Sequence, residues 1–317
     1  PDLDNASVGS GSNHHLMISD AVPIRKRLSF CFFGLFEPKT NLAGIVMINR
    51  SDMAARNLEA VKNTTPLIHT ITNFVTMGWV ADVLSAVGAS PIMADAVEEV
   101  EEVAALADAL VLNMGTLNPG RLAGILKAGH QAAAAGIPIV LDPVGAGAIS
   151  ARTKAVLKIL NQFQVSVIRA NASEMLALSG KTIQGRGVDT IHPVESARAA
   201  ARQVAANFGL IAVVTGTRDL ITTGDKVIYV ANGHPLMGRV SGSGCAVGAV
   251  IGAFLAVDFD PLDATLSALA YFNLAGEMAA AKTAFSGSFK IALIDALDMM
   301  APAMLRQGAR IIDGDDA

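Results

Sequence analysis

A glycine-rich turn at residues 240–245 runs directly into the apolar segment 246–255. Gly242 and Gly244 allow a ligand to approach the backbone closely, and a helix starting here adds free N–H groups and partial positive charge. This combination suits a bound phosphate group. Cys245 falls in the first turn of the predicted helix, where a thiol ionises more easily and could act as a base or nucleophile. The structural alternative is a Gly/Ser turn followed by a small buried cysteine.

A carboxylate follows a second apolar run. Asp142 ends the run 138–142 and is followed by Pro143 and by Gly145 and Gly147. In that position the carboxylate could hold Mg²⁺ beside a phosphate chain, directly or through water, although an aspartate that caps a turn is also common. The glycines lack the third member of a dinucleotide-binding fingerprint, which disfavours a nicotinamide dehydrogenase.

Polar residues also follow two further apolar runs. Arg169 could pair with phosphate oxygens, and Glu174 could help to place a metal-bound water. Asn171 and Glu174 equally fit a capping box at the start of a helix. Thr215 ends the apolar run 210–215 and offers a hydroxyl group together with backbone donors. The pattern predicts an anion-binding site with a metal beside it.

Three residues near the start of the regular pattern have weaker signals. Asn73 follows the run 66–72 and is predicted to cap a helix over 74–87. His69 is typical of a buried structural histidine with its hydrogen bonds satisfied. Met93 could line an apolar pocket or fill the core.

The elements that must position these residues alternate regularly from about residue 51. Predicted strands cover 66–72, 109–113, 138–142, 165–169 and 210–215, and a hairpin covers 220–223 and 226–231. Predicted helices cover 74–87, 97–106, 119–135, 151–162, 172–178, 194–208, 261–282 and 289–306. This alternation predicts an α/β fold with a mainly parallel sheet and helices on both faces. Ligands of such sheets bind beyond the carboxyl ends of the strands, where the polar residues above lie.

Composition excludes several classes of protein. Hydrophobic residues make up 52% of the chain and charged residues 16%, which indicates a globular protein with a large core. The net charge of −4 gives no basic surface for nucleic acid. No apolar run has the ~20 residues needed to cross a membrane. The only cysteines, Cys31 and Cys245, suggest no disulfide framework and favour a reducing cytoplasmic location.

The first 48 residues differ from the rest. They begin with a polar stretch rich in Gly and Ser, and the basic and apolar run at 25–36 only faintly resembles a secretion signal without its cleavage site. We expect residues 1–48 to be an N-terminal extension, flexible or not native to the protein. Residues 49–317 are expected to form one domain.

Taken together, six segments resemble the hydroxyethylthiazole kinase family of the ribokinase-like superfamily. They are residues 69–73, 89–93, 113–117, 142–148, 171–174 and 242–245, in the order of the family. The resemblance extends from about Asn63 to Leu305 and implies a three-layer ribokinase-like fold. Two departures are Ala170, where the family usually has glycine, and the first 48 residues, which lie outside its pattern.

The resemblance implies ATP- and Mg²⁺-dependent phosphorylation of 4-methyl-5-(2-hydroxyethyl)thiazole by a homotrimer whose thiazole pockets lie between subunits. Cys245 takes the place of the aspartate base of most ribokinase-like enzymes. The other roles that the resemblance implies are thiazole contact by Met93, Gly242 and Asn73, ATP binding by Arg169, Thr215 and Gly244, and Mg²⁺ binding by Asp142 and Glu174.

Three alternatives stay open. One is a ribokinase-like kinase for another small alcohol, such as hydroxymethylpyrimidine or a B6 vitamer. Another is the related NAD(P)HX dehydratase, and the third is a non-catalytic nucleotide-binding regulator. Cys245 in place of aspartate favours the thiazole.

Overall fold

The computed structural model describes residues 49–180 and 193–314 of the chain. Its centre is one sheet of nine strands. The strands are β1 Leu67–Ile71, β2 Ser90–Ile92, β3 Ala109–Asn113, β4 Ile139–Asp142, β5 Val167–Asn171, β6 Ile211–Thr215, β7 Asp219–Thr222, β8 Val227–Val230 and β9 Ile311–Asp313.

The strands lie in the order β2-β1-β3-β4-β5-β6-β7-β8-β9. The first six strands in this order, β2, β1, β3, β4, β5 and β6, pair in parallel. Strands β7, β8 and β9 are antiparallel to their neighbours. The mainly parallel sheet and the β7–β8 hairpin are therefore confirmed. Because the parallel strands share one direction, their carboxyl ends meet at a single edge of the sheet.

Helices cover both faces of the sheet. They are α1 Arg50–Thr64, α2 Met77–Val87, α3 Val100–Leu106, α4 Pro119–Ala134, α5 Ser150–Leu160, α6 Ala172–Leu178, α7 Arg198–Phe208, α8 Ser243–Leu255, α9 Pro261–Ala280, α10 Ser286–Met299 and α11 Pro302–Gly308. Short 3₁₀ turns occur at Val194–Ala197 and Pro235–Arg239.

Alternation along the strands separates two apolar cores. Val111 of β3 faces a core formed with α1, α2, α8, α9 and α10. Its neighbours Leu110 and Leu112 face the opposite core, formed with α3 to α7. Successive side chains of a strand point to opposite faces, so each buried strand contributes to both cores. The three-layer α/β prediction is confirmed.

Helix α8 lies directly against the sheet. A Cβ added at Gly252 would come within 2.7 Å of Cγ2 of Val111, closer than real Cβ contacts allow. Only glycine therefore permits the observed approach of this helix to β3. The first turn of α8 is placed above the carboxyl edge of the sheet with little freedom to shift.

The single helix predicted over 289–306 is wrong. Helix α10 ends at Met299 and α11 begins at Pro302, with Ala301 between them in an extended conformation (φ −84°, ψ 153°). Proline clashes with a helical conformation of the preceding residue, so the chain turns before it continues. Helix α1 and the short edge strands β2 and β9 have no counterpart among the predicted elements.

Helix α1 begins with Asn49 as its cap, whose side chain accepts a hydrogen bond from the Ser51 amide. The expected extension over residues 1–48 lies outside the described residues, so it and the domain boundary stay predictions. In the part of the chain that the structure describes, no helix is long and apolar enough to cross a membrane.

Candidate active site

Asp142 lies at the centre of a cluster at the carboxyl edge of the sheet. Its side chain is 1% exposed. Oδ2 accepts a hydrogen bond of 2.7 Å from Nδ2 of Asn113, and Oδ1 lies 3.3 Å from Nη1 of Arg169. Burial raises the pKa of the carboxyl group, although Arg169 and Asn113 act in the opposite direction. The last residues of β3 and β4 and the middle residue of β5 thus bring three polar side chains into contact.

Arg169 connects this carboxylate to the two other predicted ATP-binding positions. Its Nη2 donates to the hydroxyl of Thr215 at 2.7 Å. A Cβ at Gly244 would lie 2.6 Å from the same nitrogen, so the guanidinium rests against the first turn of α8. Burial lowers the pKa of Arg169, but Asp142 and other carboxylates outweigh burial and raise it, which keeps the guanidinium charged.

Ala170 does not displace Arg169. Its methyl group is fully buried in the core on the other face of the sheet. Since neighbours in a strand point to opposite faces, the alanine leaves Arg169 free to reach Asp142 and Thr215. The departure from the family's usual glycine is accommodated by the core.

The turn before α8 has the conformation that its glycines predict. Gly242 takes the cap position with φ of +90°, and no side chain of the described residues caps the helix. The Ser243 amide bonds the carbonyl of Val240 at 3.2 Å, whereas the amides of Gly244 and Cys245 have no backbone acceptor among the described residues, as is usual in a first helical turn. Thr76 and Trp79 enclose Gly242, where a Cβ would meet Cγ2 of Thr76 at 2.6 Å. This conformation suits an anion-binding turn, and the binding itself stays a prediction.

Cys245 lies in this first turn beside the cluster. Its Sγ accepts a hydrogen bond of 3.3 Å from Nδ2 of Asn73. Burial and the charge of Asp142 raise the pKa of the thiol, against the opposing effects of Arg169 and the Thr76 hydroxyl. The prediction that the helix terminus makes this thiol easier to ionise is wrong, because desolvation and the neighbouring carboxylate dominate.

Asn73 is not a helix cap. Helix α2 begins at Met77, and the Asn73 side-chain oxygen accepts the Thr76 amide within the preceding turn at 3.1 Å. Its amide nitrogen donates to Oδ1 of Asn113 and to Cys245. Asn73 therefore connects the thiol to the Asn113–Asp142 pair.

Glu174 has the capping role considered for it, and its metal-binding role stays a prediction. With Asn171 it forms a complete capping box at the start of α6. Its other oxygen accepts the amide of Gly145 at 2.9 Å, which ties it to the loop after Asp142. Burial and Asp142 raise its pKa to about 7. Glu174 thus stabilises a helix and faces the same loop as Asp142.

The two carboxylates suit a magnesium ion. Both are buried, and the charge of Asp142 raises the pKa of Glu174, so a divalent cation between them would offset the repulsion that opposes ionisation of the second carboxyl group. Within residues 49–180 and 193–314, no group of three or more His, Cys, Asp or Glu side chains is arranged to hold a metal. Mg²⁺ commonly binds to one or two carboxylates with phosphates and water as its other ligands, which fits this pair.

Two residues lie away from the cluster. Met93 follows β2 at the edge of the sheet and packs, partly buried, against the same core as Cys245. His69 is fully buried, and its Nε2 is 2.8 Å from the carbonyl oxygen of Ala94. The predicted burial of His69 is confirmed, but the expected satisfaction of its hydrogen bonds is wrong, because its buried Nδ1 has no hydrogen-bond partner. A substrate role for Met93 stays a prediction.

Asn113 belongs to this cluster, although the sequence analysis predicts no role for it. It joins Asp142 to Asn73, and its Oδ1 also accepts the amide of Gly115 at 2.9 Å. The usable signal was a polar residue that ends the wholly buried strand β3.

A third buried carboxylate, Asp219, lies behind the site. Burial raises its pKa to about 6 from an ordinary value of 3.8, so the folded chain holds this proton more tightly than the unfolded chain does. Its contribution to stability is therefore present below about pH 4 and is lost as the pH rises through about 6.

We expect Asp219→Asn to flatten this dependence. The melting temperature of the unaltered chain should fall more steeply between about pH 4 and pH 7 than that of the variant, since the amide has no proton to release. Thermal unfolding followed by circular dichroism at half-unit pH steps measures the two slopes. Equal slopes would show that Asp219 does not titrate in this range.

The chain matches known proteins over most of its length. The profile of the hydroxyethylthiazole kinase family matches residues 58–302. The chain belongs to the hydroxyethylthiazole kinase family. A hydroxyethylthiazole kinase from Desulfotalea psychrophila is 49% identical over 265 residues, which cover 84% of this chain and 97% of that protein. A hydroxyethylthiazole kinase from Cereibacter sphaeroides is 46% identical over 254 residues, 80% of this chain and 96% of that protein.

Solved structures agree with this membership. The hydroxyethylthiazole kinase of Pyrococcus horikoshii OT3 superposes with a TM-score of 0.75 at 41% identity and covers 82% of this chain and 98% of its own. The pyridoxal kinase of Staphylococcus aureus, at 18% identity, has a TM-score of 0.51 and covers 66% of this chain and 86% of its own, which shows a shared fold. The ribokinase-like fold is confirmed, and the chain is a phosphotransferase acting on an alcohol.

Proposed function

We propose that the chain transfers the γ-phosphoryl group of ATP to the primary hydroxyl of 4-methyl-5-(2-hydroxyethyl)thiazole, a step of thiamine biosynthesis and salvage. The observation that carries the proposal is one connected cluster at the carboxyl edge of the sheet, in a chain of this family. The cluster runs from the thiol through amides and a carboxylate to the guanidinium, and consists of Cys245, Asn73, Asn113, Asp142, Arg169 and Thr215.

ATP is proposed to bind where Arg169, Thr215 and Gly244 meet. The guanidinium supplies planar, paired donors for phosphate oxygens, and the first turn of α8 supplies backbone N–H groups and partial positive charge. The absence of a Cβ at Gly244 matters here, because a Cβ at this position would lie 2.6 Å from Nη2 of Arg169. These groups would stabilise charge on the transferring phosphoryl group.

Mg²⁺ is proposed to bind to Asp142 and Glu174 together with ATP phosphates. When bound, it neutralises phosphate charge and orients the transferring group. Asp142 also holds Arg169, so the same carboxylate fixes the guanidinium that faces ATP. Glu174 is kept in place by the amides of Asn171 and Gly145.

The alcohol is proposed to lie beside Cys245, in a pocket that includes Met93, Gly242 and Asn73. Asn73 donates to the sulfur and so fixes its position. Because the pKa of the thiol is raised, the group is mostly protonated at neutral pH. We infer that Cys245 mainly orients the hydroxyl and takes up its proton late, when the bond to phosphorus has largely formed. Phosphoryl transfer needs little help from a base before that point.

Variants of Cys245 test this role. Cys245→Ala should lower kcat by about tenfold to a hundredfold, less than removal of a full general base costs. Cys245→Asp should retain or raise kcat, because an aspartate buried beside Asp142 would have a raised pKa and suit proton transfer near neutrality. Steady-state rates of ADP formation measure both. A folded Cys245→Asp protein without activity would contradict a proton-accepting role.

The assembly is proposed to be a homotrimer with thiazole pockets between subunits. Phe74 and Val75 follow Asn73 directly, and they are 64% and 73% exposed. Two large apolar side chains next to the proposed pocket favour burial by another subunit. Light scattering coupled to gel filtration gives the mass of the particle, and a monomer at working concentration would contradict the proposal.

A cytoplasmic location is also proposed. Cys245 is free, and its proposed role needs a reduced thiol, which a reducing compartment maintains. Cell fractionation followed by immunoblotting tests the location.

The reaction is tested with the purified chain, Mg²⁺ and ATP, with and without hydroxyethylthiazole. Thiazole-dependent ADP formation and a singly phosphorylated thiazole identified by mass are the expected results. Turnover of hydroxymethylpyrimidine or a B6 vitamer instead would favour another small-alcohol kinase. ATP binding without turnover of any alcohol would favour a nucleotide-binding regulator.

A further inference from the structure

Asp219 makes two hydrogen bonds in the interior behind the proposed ATP site. It is 3% exposed and begins β7, directly after the turn that follows β6. Its Oδ1 accepts the amide of Gly216 at 2.9 Å. Its Oδ2 accepts Nδ2 of Asn273, a buried residue of α9, at 2.8 Å. None of the roles proposed above uses this pair.

The turn that Asp219 holds is also confined from the other side. A Cβ at Gly216 would come within 2.2 Å of Cγ2 of Val194, so the backbone passes very close to this side chain. The hydroxyl oxygen of the preceding residue, Thr215, accepts a hydrogen bond of 2.7 Å from Nη2 of Arg169. A shift of the Gly216 backbone would therefore move Thr215 and loosen the guanidinium.

Asn273 connects this turn to the other half of the site. It belongs to α9, which packs against α8, and α8 carries Gly244 in its first turn. Through Asp219 the turn after β6 is thus tied to the helix pair that supplies the proposed anion-binding turn. A carboxylate acceptor makes shorter and stronger hydrogen bonds than a neutral one, which suits a rigid connection.

We propose that Asp219, held by Asn273, is a positioning residue that fixes the Thr215–Gly216 turn for ATP binding. The inference rests on the proposed function insofar as this turn is taken to contact ATP. Asp219 touches neither substrate nor reacting atoms. It acts through the backbone amide of Gly216.

The test compares Asp219→Ala with Asp219→Asn in the full chain. Alanine removes both hydrogen bonds, so the Kd for MgATP should rise by about tenfold or more, with the KM for the thiazole unchanged. Asparagine keeps an acceptor for Gly216, and a flipped Asn273 amide can accept from its nitrogen. Asp219→Asn should therefore bind ATP within about threefold of the unaltered chain. Isothermal titration with MgATP gives Kd without any need for thiazole turnover.

Thr222→Val is the matched control. Thr222 ends the same strand and is fully buried, and its hydroxyl bonds the carbonyl of Lys226 and the amide of Gly224. The Thr222→Val variant should have a lower melting temperature and an unchanged Kd for MgATP. If Asp219→Ala does not fold, Asn273→Ala replaces it, since it removes only one support of the carboxylate, and a Kd raised by about threefold is expected.

Three results would overturn the inference. One is an unchanged Kd in a folded Asp219→Ala or Asn273→Ala variant. Another is equal weakening by Asp219→Asn and Asp219→Ala, which would make charge alone responsible. The third is weakening by Thr222→Val as well, which would indicate a general loss of stability. An absence of thiazole turnover by the unaltered chain counts against the proposed function only, because the Kd comparison still stands.

Discussion

Replacing Gly244 with alanine is expected to lower kcat/KM by about a hundredfold, the loss typical when a charge-stabilising donor is displaced. The new methyl group would lie 2.6 Å from Nη2 of Arg169, so the guanidinium must move. That movement breaks its alignment with Asp142 and Thr215, and the methyl group occupies space proposed for phosphate. The KM for ATP should rise together with the fall in kcat.

Gly248→Ala is the matched control, one turn further along the same helix. A Cβ there would meet only Oδ2 of Asp142, at 3.9 Å, which is an ordinary contact. Because alanine favours helix over glycine by about 0.5–1 kcal/mol, this variant should be slightly more stable and nearly as active. Steady-state kinetics and thermal unfolding give the kcat/KM and the melting temperature of both variants for comparison. Equal losses of activity in the two variants would show that alanine acts by changing helix α8 as a whole and not by displacing phosphate.

The second large effect is expected from Asp142→Asn, which should lower kcat by about a thousandfold through loss of metal binding and charge placement. The carboxylate receives hydrogen bonds from both Asn113 and Arg169. An amide at this position turns an N–H group toward one of these donors, so the guanidinium loses its anchor. Raising Mg²⁺ should restore little of the rate, because Glu174 would remain as the only carboxylate ligand.

Asp258→Asn controls for the loss of a hydrogen-bonded carboxylate. Asp258 lies beyond the last residue of α8, at the opposite end from Cys245, and accepts Nδ2 of Asn57 at 2.6 Å and the amide of Asp260 at 3.0 Å. It should lose stability and keep kcat within about twofold, since surface and distant substitutions rarely affect chemistry. A comparable fall in kcat for both variants would refute the special role of Asp142.

The sequence predicts the buried elements of this fold well. The apolar runs at 109–113 and 138–142 correspond to β3 and β4, because strands covered on both faces need continuous apolar residues. Strand β2 has only three residues, one of them Pro91, and pairs along a single side at the edge of the sheet. Strand β9 forms only by pairing with the distant β8, which no local pattern indicates.

The site was predictable where a residue's position at a strand end carries its chemistry. Asp142, Arg169 and Thr215 could be chosen because each ends an apolar run, and they are in contact. The raised pKa of Cys245 was not predictable, because it depends on desolvation and on Asp142, a residue distant in sequence. The partners of Asp219 were missed for the same reason, since Asn273 lies on a helix 54 residues away.

The close packing of Gly252 against Val111 has a consequence for redesigning which alcohol the enzyme accepts. Groups proposed to face ATP belong to strands of the sheet and to a helix set directly against it. Phe74 and Val75, by contrast, belong to an exposed loop beside the proposed alcohol pocket. Directed evolution toward bulkier alcohols should therefore collect its useful changes in that loop, and few within α8. The part of the enzyme proposed to bind phosphate would stay rigid while the loops around the alcohol are exchanged.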